Sequence, residues 1–294
     1  MGTNNQKYSE LEFSNAFMFS KVMKNHKLCK QLLEVILGVK IRRIVYQEEE
    51  KTLDHAVDSK SVRLDVYIED DENTVYDVEM QTTNPGNLPK RSRYYQAMID
   101  LNLLQKGENY SKLKKSYVIF ILKNDIFKKG RHIYTFENVC LQDKELHLND
   151  ETTKVFLNPV SDMDDVDEEL RNFLSYVASG EPVDVFTQEL EQEVENAWTN
   201  KKWENEYMGW MLEIHDAYDE GIEQGRTAGI EQGRIEGIEQ GRIEGIEQGR
   251  ELGGLEMLIG FVQDGTITME QAAARISMTV EEFERRIESI NKEK

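Results

Sequence analysis

The sequence predicts an α/β fold in which a mixed sheet is flanked by helices and is followed by an α-helical C-terminal region. Two runs of alternating apolar and polar residues, 61–69 and 74–81, are joined by the polar segment "DDEN", which is typical of a β-hairpin. The run "YVIFIL" at 117–122 is apolar throughout, as expected of a strand that is buried on both faces. After Pro159 the chain becomes acidic and its apolar residues follow helical spacing.

The N-terminal segment is predicted to form a helix over residues 14–38, followed by a strand over 40–49. Ser14 is a residue type that caps helix N-termini, and Gly38 is a typical stop. The apolar residues between them roughly follow helical spacing, and a break near Asn25 could divide the helix in two.

The segment beyond the hairpin completes the predicted core. Pro85, Gly86 and Pro89 indicate a loop. Helix and strand then alternate, which together with the hairpin gives an α/β core of roughly 150 residues. The predicted elements are a helix over 90–107 and strands over 115–123, 132–141 and 152–159.

The predicted hairpin brings acidic residues together on one face of the sheet. If Asp65 pairs with Glu79, the turn centres on Glu72, inside "DDEN". Tyr67 then lies opposite Asp77, which we expect to face solvent near the site. Directly opposed Cβ atoms lie about 4.5–5.5 Å apart, so the first pair of carboxylates repels unless something compensates. A divalent cation is a natural compensator, because Mg²⁺ binds one or two carboxylates together with waters and phosphate oxygens. The alternative is a partly exposed hairpin face that tolerates acids.

Composition limits the function classes. The 294 residues carry a formal net charge of −20, which disfavours loose binding to phosphate backbones by the molecule as a whole. Residues 84–131 contain 11 Lys/Arg against 3 Asp/Glu, so a local anion-binding surface is compatible with this charge. Cys29 and Cys140 show neither metal-ligand spacing nor a disulfide framework, which fits a reducing compartment. With no apolar signal segment in "MGTNNQKYSE" and no run long enough to span a bilayer, we expect a soluble cytoplasmic protein without a membrane partner.

The segments "RLDVYIED" and "VYDVEMQ" resemble the hairpin of PD-(D/E)xK nucleases, with Asp65 at the aspartate of the motif and Glu79-Met80-Gln81 at its (D/E)-x-K. The resemblance extends over most of the chain to the recombination-promoting nuclease/putative transposase family of bacteria. It is carried by the ordered segments "NAFMFSKVM", "LCKQLLEVILGVKI", "LPKRSRYYQAMID" and "KKWENEYM" and by the GIEQG-type tail.

This resemblance implies a restriction-endonuclease-like core and metal-dependent hydrolysis of DNA phosphodiesters. Asp65 and Glu79 would be catalytic and would bind Mg²⁺ or Mn²⁺, and the backbone carbonyl of Met80 could complete the set. Gln81 would occupy the usual place of a catalytic lysine. A glutamine supplies neither positive charge nor a base, but it can orient the attacking water or a phosphate oxygen by hydrogen bonds.

The first helix departs from the family pattern. Relatives often carry an acidic residue just before the "FMF" segment, where this chain has Asn15-Ala16. If that acid aids metal binding, either the affinity is lower here or Glu10 or Glu12 must help.

A basic stretch opens the helix that follows the Glu-x-Gln strand. Lys90, Arg91, Arg93 and Gln96 are predicted to contact nucleic-acid phosphates, which would give salt-sensitive affinity without sequence preference. The alternative is an ordinary solvated helix end.

The C-terminal half has a different character from the core. We expect a nuclease-like core over 1–160, an acidic helical region over 161–220, a repeat over 221–254 and a small helical tail over 255–294. In the acidic region, a packing stripe is predicted at helical spacing, formed by Trp203, Tyr207, Trp210 and Ile214.

The repeat places glycine at every fourth position from Gly221 to Gly253. Glycine costs about 1 kcal/mol per helical position relative to alanine. A period of four also drifts by about 40° per repeat, so no fixed apolar face results. The repeat is either a linker or weakly helical spacer, or a glycine-seamed helix that pairs with copies of itself and makes a homo-oligomer.

The sequence therefore predicts a Mg²⁺-dependent DNA endonuclease, acting in recombination or mobile-element activity. The alternative is a catalytically weak or inactive nuclease-fold protein that serves as a nucleic-acid or protein binding and assembly module.

Overall fold

The computed structural model of the protein describes residues 7–53, 62–83 and 86–293. The loop residue Pro85, the first residue of the strand predicted over 61–69 and most of the segment "MGTNNQKYSE" lie outside the described residues. The chain divides into two compact units, one up to Met211 and one from Leu212. The four regions predicted from the sequence are a finer division, which stays a prediction.

The described helices and strands confirm the predicted α/β core with a helical C-terminal region. The strands are β1 (Ile44–Leu53), β2 (Val62–Asp70), β3 (Val75–Gln81), β4 (Ser116–Leu122), β5 (Ile133–Phe136) and β6 (Thr152–Leu157). The helices are α1 (Ala16–Val22), α2 (His26–Leu37), α3 (Leu88–Leu103), α4 (Glu168–Ser179), α5 (Val185–Trp198), α6 (Lys201–Gln263), α7 (Met269–Arg275) and α8 (Val280–Glu293). Within the described part of the chain, no helix combines the length and apolar character that a bilayer crossing requires.

The six strands form one mixed sheet in the order β1-β2-β3-β4-β6-β5. The β3–β4 and β4–β6 pairs are parallel and the others are antiparallel. The hairpin of β2 and β3 has the predicted register, with Tyr67 opposite Asp77. Strand β4 is almost wholly buried, as its continuous apolar run predicts.

Helices cover both faces of the sheet, with α1 on one face and α3 on the other. Residues of α1, α2, α4 and α5 pack with Val66 and Ile119 in one core cluster. Residues of α3, including Tyr95, pack with Tyr67 and Phe120 in another. The hairpin, covered on both faces, therefore presents any polar group on β3 to protein rather than to open solvent.

Asparagines set the starts of the first two helices. Asn15, and not the expected Ser14, caps α1, because its side chain accepts the N–H groups of Phe17 and Met18. The hydroxyl of Ser14 points to Glu12 instead. Asn25 caps α2, which confirms the predicted break.

The tryptophan and tyrosine side chains near the start of α6 pack in the first unit, which confirms the packing stripe over most of its length. Tyr207 is buried, and Trp203 and Trp210 lie against the same core cluster. Ile214, the last member of the predicted stripe, is exposed.

In the second unit, α6 continues through the repeat with exposed side chains, so the repeat is helical rather than a flexible linker. Its role as a spacer or as a helix that pairs with copies of itself stays a prediction. Glu231–Arg234 and the equivalent pair one repeat later form salt bridges along it. The end of α6, α7 and α8 enclose a small apolar core around Phe283. Capping boxes form at Thr268, before α7, and at Thr279, before α8.

Candidate active site

At the open end of the hairpin, two carboxylates replace the backbone ladder between β2 and β3. The regular main-chain pairing of β2 with β3 extends as far as Val66 opposite Val78. Beyond it, the Asp65 N–H donates to Glu79 Oε1 at 2.8 Å, and the Met80 N–H donates to Asp65 Oδ2 at 3.0 Å. Each acid is thus held by a backbone group of the opposite strand. This reciprocal arrangement fixes the two carboxylates side by side.

The backbone of β1 departs from regular strand conformation at the same place. Glu50 has a left-handed backbone conformation with φ of 57°, and it lies between the regular pairs Lys51–Leu64 and Glu49–Val66. Leu64 packs in the core on the α3 side of the sheet, whereas Val66 packs on the opposite side. Residues two apart in a regular strand share a face. The alternation of side chains along β2 therefore breaks at Asp65, which lies between Leu64 and Val66.

Arg91, from the first turn of α3, lies against these carboxylates. Its Nη2 is 3.3 Å from Glu79 Oε2, its Nη1 donates to Gln81 Oε1 at 2.8 Å, and its Nε donates to the Tyr95 hydroxyl at 2.6 Å. The amide nitrogen of Gln81 donates to Thr83 Oγ1 at 3.1 Å. A guanidinium thus supplies the positive charge that glutamine lacks.

Burial makes these carboxylates reluctant to ionise. It raises the pKa of Asp65 to about 6, although the Met80 N–H and the guanidinium groups of Arg91 and Arg63 oppose the shift. Burial also holds the pKa of Glu79 well above its usual range, and repulsion from the neighbouring Asp65 and Asp77 adds to it. The site therefore gains from any cation that approaches the pair.

Asp77 is fully buried, so the expectation that it faces solvent was wrong. Strand β3 lies inside the sheet, where Asp77 pairs with Tyr67 on one side and with Val118 on the other, and α3 covers this face. No donor among the described residues reaches either carboxylate oxygen. Burial and repulsion from Asp65 hold its pKa well above the usual range, and the attraction of Arg91 opposes this shift only in part.

A cavity of about 230 Å³ opens beside Asp65. Its wall includes Ala16, one of the two residues before "FMF" where the family resemblance leads one to expect an acid. Glu10 and Glu12 are not among its lining residues, so neither replaces that acid. The lining residues are Ala16, Phe17, Ser20, Glu50, Arg63, Asp65, Arg91 and Trp210.

Sequence reasoning missed Glu50 and Arg63 at this cavity, where Arg63 Nη2 lies 2.8 Å from Glu50 Oε2. A left-handed glutamate in a strand leaves no signal in the sequence. Arg63 lies two residues before Asp65 in the sequence, and this proximity is the signal that could have placed it at the cavity.

The predicted nucleic-acid contacts fall into two groups. Lys90 and Arg93 are exposed on α3, as phosphate contacts require. Gln96 is buried, and its amide donates to Ser116 Oγ at 2.8 Å and to Asp100 Oδ1 at 3.1 Å. Gln96 thus joins the helix to the sheet, and its environment differs from the one expected.

The carboxylate oxygens of Asp65 and Glu79 fit a hard divalent ion that takes most of its ligands from water and substrate rather than from the protein. Among the described residues, no group of three His, Cys, Asp or Glu side chains could hold a metal ion. Mg²⁺ does not need one, since it commonly binds one or two carboxylates and takes waters and phosphate oxygens for the rest. Asp65 and Glu79 supply such a pair, and Asp65 Oδ1 accepts no hydrogen bond from a described residue.

Comparison with protein families decides the relationship. The model of the PD-(D/E)XK nuclease family transposase matches residues 12–174, more than half of the chain. The chain belongs to this family. The matched segment includes the residues bonded around the carboxylate pair, which are Asp65, Glu79, Gln81 and Arg91. It excludes the repeat and the C-terminal helices. No curated protein and no solved structure matches the chain.

Membership of the PD-(D/E)XK nuclease family transposases indicates a nuclease- or transposase-like function on a nucleic-acid substrate. Nucleases of this family generally use divalent metals. The mixed six-stranded sheet with flanking helices is consistent with the fold of such nucleases.

Proposed function

We propose that the protein is a divalent-metal-dependent DNA endonuclease that hydrolyses phosphodiester bonds, with recombination or mobile-element activity as its setting. The observation that carries this proposal is the reciprocal bonding of Asp65 and Glu79 to each other's strands, beside an open cavity. Two neighbouring carboxylates that are shielded from water destabilise the fold. Binding of a catalytic divalent ion would explain why the protein keeps them.

Asp65 and Glu79 are the proposed ligands of Mg²⁺ or Mn²⁺. When bound, such an ion lowers the pKa of a water ligand and stabilises negative charge that develops on the phosphate. The N–H groups of Asp65 and Met80 hold the carboxylates in place before the ion arrives. This preorganisation spares the site a rearrangement during the reaction.

Gln81 and Arg91 act as a unit in this proposal. Arg91 fixes the carbonyl oxygen of Gln81, and the amide nitrogen of Gln81 is the group that orients the attacking water or a phosphate oxygen. In the free protein, Arg91 also offsets the charge of Glu79. The exposed Lys90 and Arg93 bind flanking phosphates, which adds salt-sensitive affinity.

Nicking of supercoiled plasmid tests the proposal. Wild type is compared with Asp65→Asn, Glu79→Gln and the control Glu231→Gln, which alters an exposed glutamate of the second unit that is also paired with arginine. Both site variants should lose at least about 100-fold in rate, because even residues that only support metal ligands cost up to about that much. The control should match wild type. The proposal fails if wild type nicks no faster than both site variants with Mg²⁺ and with Mn²⁺.

A second candidate is a weak or inactive nuclease-fold protein that binds nucleic acid or partners. It is favoured by the methyl group of Ala16 in the cavity and by Arg91, which already neutralises Glu79. Under this alternative, DNA binds without being cut, and Ala16→Asp raises the nicking rate from background. Under the first proposal, wild type cuts without that change.

Compartment and assembly belong to the same proposal. A cytoplasmic location agrees with two cysteines that form no disulfide, Cys29 and Cys140. A homo-oligomer formed through the C-terminal helical region stays a prediction.

A further inference from the structure

Arg63 lies on the wall of the cavity beside Asp65, on the side of β1. Its side chain is 49% exposed, and among the described residues its ion-pair partner is Glu50, with Nη2 lying 2.8 Å from Oε2. Arg91 lines the same cavity from the side of β3, where it is bonded to Glu79 and Gln81. Both guanidinium groups oppose the rise in the pKa of Asp65, so both lie within electrostatic reach of it.

We propose that Arg63 is a second phosphate-binding residue of this cavity, which takes a non-bridging oxygen of the DNA backbone next to the Asp65–Glu79 pair. This inference rests on the proposed nuclease function and adds a residue to it. Arginine suits the role because its planar fork presents five donors and matches phosphate oxygens bidentately.

Arg63 can leave Glu50 at small cost. A partly exposed ion pair contributes little to stability, since water and salt screen it. Glu50 also keeps a second cation, because Lys21 Nζ lies 3.8 Å from its carboxylate. Lys21 is buried, and it is anchored by Glu206 at 3.1 Å and over the ring of Phe17 at 4.7 Å.

Arg91 is less free to move, because three side chains hold its guanidinium group. The cavity therefore carries one fixed arginine and one loosely held arginine.

The rest of the wall fits a nucleotide. The rings of Phe17 and Trp210 stack with centroids 6.0 Å apart and form an aromatic wall of the same cavity. Phosphate contacts from arginine beside aromatic surface are the combination that single-stranded nucleic-acid sites use. A cavity of about 230 Å³ is several times the volume of one water molecule, so a phosphate group has room to enter.

The test measures DNA binding without cleavage, by fluorescence anisotropy of a labelled oligonucleotide in EDTA. Arg63→Gln is compared with Arg43→Gln, an exposed arginine before β1 that is not among the lining residues. Arg63→Gln should weaken binding about tenfold, as expected for a hydrogen bond to a charged group. It should also lower the slope of log affinity against log salt by about one. Arg43→Gln should change the affinity by no more than about twofold and should leave the slope unchanged.

A third variant, Glu50→Gln, keeps the test decisive if Arg63→Gln folds poorly. It frees Arg63 without removing it, so DNA binding should tighten by about twofold or more. If Arg63 serves only to hold β1, Glu50→Gln leaves DNA affinity unchanged and Arg63→Gln equals Arg43→Gln, which overturns the inference. If wild type binds no DNA at all, the proposed nuclease function fails as well. If wild type binds and nicks DNA while Arg63→Gln behaves as Arg43→Gln, the assignment of Arg63 alone fails.

Discussion

Two of the glutamate–arginine pairs in the described residues lie in opposite surroundings. In the cavity, Arg91 lies 3.3 Å from Glu79, whose side chain is 2% exposed. On α6, Arg234 lies 2.8 Å from Glu231, and both side chains are more than half exposed. Burial holds the pKa of Glu79 well above its usual range, whereas the hydrogen bond from Arg234 lowers the pKa of Glu231.

The comparison shows that surroundings, rather than distance, decide what such a pair does. The exposed pair is the shorter one, yet water and salt screen it and it supports the helix only slightly. The buried pair is longer, but removal of either partner leaves a charge inside the protein. The repeat pairs each of these charges with a neighbour in water, whereas the hairpin places Asp65, Asp77 and Glu79 close together, with Arg91 paired to Glu79.

The largest contrast should come from the arginines themselves. Arg91→Gln should destabilise the protein by about 2 kcal/mol, below the usual cost of breaking a buried pair because the arginine is about a third exposed. Arg234→Gln should leave the unfolding free energy unchanged within error. Urea unfolding at pH 7.5 measures both. Equal effects of the two substitutions would show that the cavity is as solvated as the helix surface.

Asp77 offers a smaller effect of opposite sign. Its pKa is raised in the folded state, so its contribution favours folding at low pH and turns unfavourable as pH rises through the raised value. Asp77→Asn should therefore stabilise the protein at pH 8 by about 1 kcal/mol, the low end of the usual range because the asparagine amide is also buried, and the gain should shrink towards pH 5. Thermal unfolding across this range measures it. The exposed control Asp162→Asn should show no such trend, and a loss of stability at pH 8 would mean that Asp77 has a partner.

The smallest effect should come from the repeat. Gly233→Ala and Gly241→Ala should each favour the local helix by about 0.5–1 kcal/mol, because an added Cβ meets nothing within 4 Å. Circular dichroism at 222 nm should show a gain in helicity, with plasmid nicking unchanged. Gly180→Ala is the control of opposite sign, since its φ of 75° strains any other residue. Unchanged helicity in both repeat variants would mean that this part of α6 is already fully formed.

The hairpin was predictable because two constraints agree on it. Alternation of side chains and the position of "DDEN" fix a single register, so Tyr67 lies opposite Asp77 as expected. Asn25 and Gly38 likewise carry their helix signals locally. The resemblance carried by Asp65 and Glu79 led to the family that the comparison shows.

The remaining features depend on neighbours that are distant in sequence. Asp77 is buried because β4 and α3 enclose β3, which alternation within β3 does not reveal. Gln96 points inward because Ser116, on β4, lies beneath it. The left-handed conformation of Glu50 interrupts β1 without changing its register with β2, and a strand pattern predicts no such break.

The central claim is that Asp65 and Glu79 together bind one divalent ion. Electron paramagnetic resonance of Mn²⁺, titrated into the protein at pH 7.5, tests it directly, because Asp65 with a pKa of about 6 is mainly ionised there. Wild type and Glu231→Gln should each bind one Mn²⁺ at this site, and Glu79→Gln and Asp65→Asn should bind it at least about tenfold more weakly. Mn²⁺ binding of equal strength in wild type and Glu79→Gln, or none in wild type, would contradict the claim.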